Sequence, residues 1–144
     1  MRTSEVLRTK GQDVVTITGE TEVRQLLALL AQHGIGAVVV SQDGSSVDGI
    51  VSERDVVRAI AERGDGVLGE PVSAICSTEV RTVTPETQIE ELMRLMTDQR
   101  IRHVPVLVDD RLHGIVSIGD VVKYRITELE SERASLTEYI STAR

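Results

Sequence analysis

The chain has 144 residues, a formal net charge of −7 and a pI near 5.0, a length that suits one ordinary domain or two half-size units sharing a core. Uniform acidity repels phosphate backbones, and Tyr124 and Tyr139 are the only aromatic residues, so reading a nucleic acid by stacking is excluded. No apolar run approaches the ~18 residues of a membrane span, and a single cysteine, Cys76, excludes an intrachain disulfide framework. The opening MRTSEVLRTKGQD lacks the apolar core of a signal peptide. A soluble, cytoplasmic protein with neither nucleic-acid nor membrane partners is expected. With no Trp and no Phe, Val, Ile and Leu must fill its interior.

In chain order, a short strand is expected at Val14 to Ile17, followed by a helix with Thr18 as N-cap. Val23, Leu26, Leu27 and Leu30 recur at helical spacing, and Gly34 ends that helix as a C-terminal glycine. Ala37 to Val40 reads as a strand. Ser41 to Asp48 is a turn, Gly49 to Val51 a second strand, and a second helix begins at Ser52. The same order then returns. A strand is expected at Val80 to Val83, then a helix capped by Thr84 with Pro85 at its first position. Ile89, Leu92, Met93 and Met96 carry the apolar stripe. Val104 to Val108 is a strand, Asp109-Asp110-Arg111 a turn, Gly114 to Val116 a strand, and a last helix starts at Ser117.

The chain repeats itself. Gly49-Ile50-Val51-Ser52-Glu53-Arg54-Asp55-Val56-Val57 matches Gly114-Ile115-Val116-Ser117-Ile118-Gly119-Asp120-Val121-Val122 at seven of nine positions, 65 residues apart. Upstream, Thr18, Glu20, Thr21, Val23, Leu26, Leu30 and Ile35 match Thr84, Glu86, Thr87, Ile89, Leu92, Met96 and Ile101 at a spacing of 66. The one-residue slip falls in the turn after Val40, where length changes are tolerated. A unit of this size buries too little surface to be stable alone. The expected fold is therefore α/β (α+β): two β-α-β-β-α repeats packed about a pseudo-twofold axis, with clefts between them and a long C-terminal helix. Division into residues 1–69, 70–127 and a helical extension 128–144 follows.

The doubled β-α-β-β-α frame, the strand Val104-Pro105-Val106 and the repeated Gly-Ile-Val-Ser-x-x-Asp resemble the CBS domain in its usual tandem pair, over about residues 1 to 127. Arg100 to Val106 is also similar to the corresponding strand of the regulatory gamma subunit of AMP-activated kinase. The resemblance implies a regulatory, energy-sensing module, not an enzyme and with no required cofactor. Its implied ligand is AMP or another adenosine nucleotide (ADP, ATP or NAD(H)), with S-adenosylmethionine less favoured. It further implies a homodimer acting on a separate regulated protein.

Ser-x-x-Asp at a strand-to-helix junction suits such a ligand. Free N–H groups of the first helical turn favour anions, a serine hydroxyl can donate to phosphate, and a carboxylate can accept from a ribose diol. Ser117 with Asp120, and Ser52 with Asp55, fit those roles; the same residues also fit a capping box. Arg102 and His103 match the kinase subunit's phosphate-reaching pair in swapped order, which favours AMP, or a dinucleotide held by Arg102, over a tightly bound triphosphate. Copy one has Gly36 and Ala37 there, small enough to admit adenine against the backbone. One expected cleft joins Ser117, Asp120 and His103 to Ile35, Gly36, Ala37 and Gln12. The other joins Ser52, Arg54 and Asp55 to Ile101 and Arg102. Arg54 could equally be a solvated helix charge; for Arg102 the lesser alternative is an ordinary exposed strand residue.

His33, His103, His113 and Cys76 lack metal-ligand spacing, and no nucleophile–base arrangement, HExxH or P-loop is present. Beyond Asp120, Val122, Ile126, Leu129, Arg133, Leu136 and Ile140 step by four and three residues, an a/d seam with one arginine in it. This tail could pair with a second copy, recruit a partner, fold back on its own domain or fray beyond Ser131. A structural adaptor with vestigial clefts is the alternative function.

Overall fold

A computed structural model describes residues 1–10 and 14–142, the side chain of Lys10 excepted. Among these residues, five helices and two small sheets follow the expected tandem order. The first helix, α1 (Thr3–Lys10), precedes the first repeat. That repeat comprises β1 (Thr16–Ile17), α2 (Val23–His33), β2 (Ala37–Val40), β3 (Gly49–Ser52) and α3 (Glu53–Arg63). Two 3₁₀ turns, Asp65–Gly69 and Val72–Ala74, lead to the second: α4 (Ile89–Asp98), β4 (His103–Val108), β5 (Arg111–Ser117) and α5 (Ile118–Thr142).

In the first sheet β1 runs parallel to β2, which pairs antiparallel with β3 in the register Ala37↔Ser52 to Val40↔Gly49. All four residues of β2 are buried, as a continuous Ala-Val-Val-Val run requires when both sheet faces are covered. In the second sheet β4 and β5 pair antiparallel from His103↔Ser117, around a two-residue turn in which Asp109 (φ 51°) and Asp110 (φ 62°) both adopt left-handed backbone. That is the turn geometry matching the twist of a tight hairpin.

Two expectations need correction. Thr18 and Thr84 do not cap helices. Each closes a tight turn, with Thr21 N–H donating to Thr18 O (3.2 Å) and Thr87 N–H to Thr84 O (3.1 Å). The helices start about a turn later, with Glu22 and Gln88 at their N-caps. Pro85 accordingly occupies the second turn position, where its fixed φ is equally well placed. The strand expected at Val80 to Val83 shrinks to one parallel bridge, Val83↔Val106. Val80 and Arg81 are diverted to line a cavity and leave the ladder.

The glycine end expected for α2 holds, and α4 ends in the same Schellman-type way. Ile35 N–H donates to Leu30 O and Ile101 N–H to Met96 O, each at 3.1 Å. Gly34 takes the left-handed position in the first repeat (φ 62°); Arg100 takes it in the second (φ 55°).

Each repeat has its own aliphatic core. Val23, Leu26, Leu30, Val38, Val40, Val51 and Val56 centre the first; Ile89, Leu92, Met96, Val104, Val106, Val116 and Val121 centre the second. The connecting segments close them crosswise. Val6 and Leu7 of α1 belong to the second core, while Val67 and Val72, with half-buried Cys76, close the first. Backbone bonds hold the exchange in place: Thr3 N–H to Thr87 O and Val72 N–H to Thr21 O, both 2.8 Å. The buried Thr3 hydroxyl donates to the same Thr87 carbonyl at 2.8 Å. Gly114 lies so close to α1 that a Cβ there would stand 2.8 Å from Leu7 Cδ2.

Candidate ligand cleft between the repeats

The two Ser-x-x-Asp segments form the first turns of α3 and α5, and equivalent hydrogen bonds build them. Glu53 N–H donates to Gly36 O (3.0 Å) and Ile118 N–H to Arg102 O (2.8 Å), tying each helix start to the chain entering the neighbouring strand. Ser52 N–H donates to Asp55 Oδ2 and Ser117 N–H to Asp120 Oδ2, both at 2.8 Å. In return Asp55 N–H donates to Ser52 Oγ (3.3 Å) and Asp120 N–H to Ser117 Oγ (3.1 Å). These are capping boxes. The boxes engage the N-cap and third-position amides, the carbonyls of Gly36 and Arg102 take the first-position amides, and the second-position residues, Arg54 and Gly119, line the space between the repeats.

That space is a cavity of about 540 Å³, within the range of small-ligand sites. Ser52, Arg54, Asp55, Ile101, Arg102, His103, Gly36, Ala37 and Ser117 all line it, so residues the sequence divides between two clefts meet in one. Gly36 stands opposite His103: a Cβ on it would sit 3.5 Å from the imidazole Cε1 and Nε2. Ile35 and Asp120 are not among the lining residues, although Asp120 is bonded to Ser117, which is. Gln12 lies outside the described residues.

Sequence reasoning missed Arg58, Arg81 and Arg100, which bring the arginines around the cavity to five, against the carboxylates of Glu53, Asp55 and Glu79. Arg58 was legible, one helical turn beyond Arg54 on the same face of α3. Arg100 was legible too, as a charged residue standing where the first repeat has Gly34. Nothing local marks Arg81. Among the described residues none of the five is ion-paired, unlike Arg24 (to Glu22), Arg63 (to Glu70) and Arg125 (to Glu128). A protein of net charge −7 thus gathers unpaired cations around one cleft, an arrangement that raises the local concentration of small anions.

A second cavity, of about 700 Å³, lies on the second repeat between the Thr84 turn, α4 and the Asp109-Asp110 hairpin. It contains none of the expected site residues. Among the described residues no group of three or more His, Cys, Asp or Glu could hold a metal ion. No described helix is long and apolar enough to cross a membrane.

The comparisons with known proteins agree with this architecture. The family model for the CBS domain matches residues 4–62 and 72–127. The chain is 38% identical over 145 aligned residues to the mitochondrial CBS domain-containing protein CBSX3 of Arabidopsis thaliana, covering 95% of this chain and 70% of that protein. Among solved structures, the CBS-domain protein ATU1752 from Agrobacterium tumefaciens superposes with a TM-score of 0.83 at 42% identity, over 87% of this chain and 99% of that one. The CBS domain protein PAE2072 from Pyrobaculum aerophilum, complexed with AMP, superposes with a TM-score of 0.74 at 31% identity, over 83% and 89% of the two chains. With both repeats matched and both cores built on the same strand-turn-helix frame, the chain belongs to the CBS-domain family, as a tandem pair.

Proposed function

We propose that the cleft between the repeats binds an adenosine nucleotide and that the chain is a regulatory module relaying this binding to another protein, not an enzyme. The observation carrying the ligand class is the set of five unpaired arginines around a cavity that also holds the two helix N-termini. Such a lining suits AMP, ADP, ATP or NAD(H), all of which bring phosphate. It disfavours S-adenosylmethionine, whose sulfonium is cationic and which has no phosphate. The AMP complex of the related PAE2072 supports the same choice. Ser52 and Ser117 would donate to phosphate, Asp55 or Asp120 would accept from the ribose hydroxyls, and Gly36 and Ala37 would leave room for adenine. The unpaired Cys76 and the absence of a spanning helix among the described residues fit a cytoplasmic setting.

Thermal-shift measurement with AMP, ADP, ATP, NAD, NADH and S-adenosylmethionine tests the reading. A ligand at 100 times its dissociation constant adds about 2.7 kcal/mol, which for 144 residues raises the midpoint by roughly 5–10 °C. Asp55→Ala and Asp120→Ala should each lower the unliganded midpoint by about 3 °C through loss of a cap worth ~1 kcal/mol. The variant that removes the ribose acceptor should also abolish the nucleotide-induced rise. If no phosphate-bearing compound moves the midpoint, the cleft is vestigial and the module is a structural adaptor.

A further inference from the structure

Helix α5 presents two faces. Val121 (buried) with Tyr124, Arg125 and Glu128 (half-buried) forms the inner face, against the body of the protein, and this face ends at Glu128. The second face is turned about one residue away: Val122, Ile126, Leu129, Leu136 and Ile140, between 48% and 60% exposed. From Leu129 to Thr142 every residue is exposed, so among the described residues this arm packs on no other part of its own chain. A helical arm of that length is marginal in water unless another surface supports its apolar stripe.

We infer that this surface is a second copy of the same chain, joined through α5 in a parallel, in-register, two-stranded coiled coil. The heptad assignment places Val122, Leu129 and Leu136 at d and Ile126, Arg133 and Ile140 at a. β-Branched residues at a with leucine at d are the pattern favouring two parallel strands. Over Val122 to Ile140 the seam is about 27 Å long. Charge decides the orientation. In the parallel coil Glu132 at g faces the partner's Thr137, while Glu130 at e lies nearest the partner's Arg125, whose guanidinium is already bonded to Glu128 of its own chain, so no like charges meet across these flanks. The antiparallel register that keeps the apolar layers aligned sets Glu130 against the partner's Glu130 and Glu132 against the partner's Glu132.

Arg133 fixes the register. Sliding by one heptad would bury its guanidinium against isoleucine, whereas in register the two arginines share a layer and splay into water. The two copies would leave side by side at the start of α5, where Val122 is uncovered. This arrangement is independent of what the cleft binds.

The test uses the full chain. Sedimentation velocity should give a dimer. Leu129→Asp combined with Leu136→Asp should weaken it about 100-fold or more, because two leucine layers are lost. Arg133→Ile should tighten it. Both leucines lie on the exposed arm, so the thermal midpoint of the body serves as a folding control. Orientation is read from Leu136→Cys in a Cys76→Ser background. In-register parallel strands place the two introduced thiols in one layer, so mild oxidation should give a covalent dimer on a non-reducing gel. A monomeric chain overturns the inference, as does a dimer unaffected by the paired aspartates. A dimer that Leu136→Cys fails to link, while mixing it with Ile126→Cys succeeds, overturns the parallel orientation.

Discussion

Arg100 is the residue at which the cost and use of the cleft can be separated. It holds φ 55°, the left-handed position ending α4, where the equivalent residue of the first repeat is Gly34 at φ 62°. A non-glycine residue there costs about 1–2 kcal/mol, while glycine would return part of that through its greater freedom in the unfolded chain, about 0.4–1 kcal/mol. Arg100→Gly should therefore raise stability by a net ~1 kcal/mol, moving the melting midpoint up by about 3 °C in a 144-residue chain. It also removes one of the five cations around the cavity. A charge-assisted bond to phosphate is worth about 1.5–3 kcal/mol when well formed. Discounted for the exposure of Arg100 to solvent, about 1 kcal/mol remains, or roughly fivefold in Kd. The assay pairs a melting curve without ligand with a titration of AMP by calorimetry. Arg100→Lys, which keeps both charge and strain, should resemble the parent in each. A stabilised variant with unchanged AMP affinity would remove Arg100 from the site. A destabilised one would refute the argument from backbone strain.

Two further outcomes test how α1 is held. Gly114→Ala should cost about 1–2 kcal/mol by overpacking against Leu7, and Leu7→Ala, at a residue 2% exposed, about 2–5 kcal/mol. The double variant should be distinctly more stable than the sum of the two losses predicts, since the new methyl enters the space Leu7 vacates; strict additivity in chemical unfolding would place α1 elsewhere. Tyr124 donates its hydroxyl to Glu5. That bond, with burial, pushes the phenol up to about 12 and holds the Glu5 carboxyl below its ordinary 4.5. The depressed carboxyl contributes stability above pH 4.5 that is lost as pH falls through its lowered value. The raised phenol contributes stability below pH 10 that is lost as pH climbs toward 12. Tyr124→Phe should thus be destabilising between these limits, and its difference from the parent should vanish at both extremes. A difference independent of pH would mean that the hydroxyl acts only through packing.

Much of this molecule was legible before any coordinate. The repeat at 65–66 residues announced two similar halves, and Gly34, the Ala37–Val40 run and the two Ser-x-x-Asp junctions lie where local rules put them. These signals depend on residues within a turn or a strand of one another, so the chain carries them in short range. The threonine caps failed for a related reason. Thr-x-x-Thr closes a turn as readily as it opens a helix, and the local pattern does not choose between the two. Helix α1 had no counterpart in the repeat to announce it.

The seam of α5 shows the division again. Its spacing of fours and threes was plain, but the choice between folding back and standing free was made only when the inner face ended at Glu128. The sequence by itself determined a tandem pair of aliphatic β-α-β-β-α units, the two helix starts at Ser52 and Ser117, and the apolar spacing of the tail. The tertiary structure decided that α1 closes the second core while Val72 and its neighbours close the first. It also brought Arg54 and Arg58, Arg81, and Arg100 and Arg102 from three separate segments to one cleft. Hydrogen-bond and hydrophobic periodicities act between neighbours in the chain. The cleft exists only once two units, each too small to bury its own surface, are packed face to face.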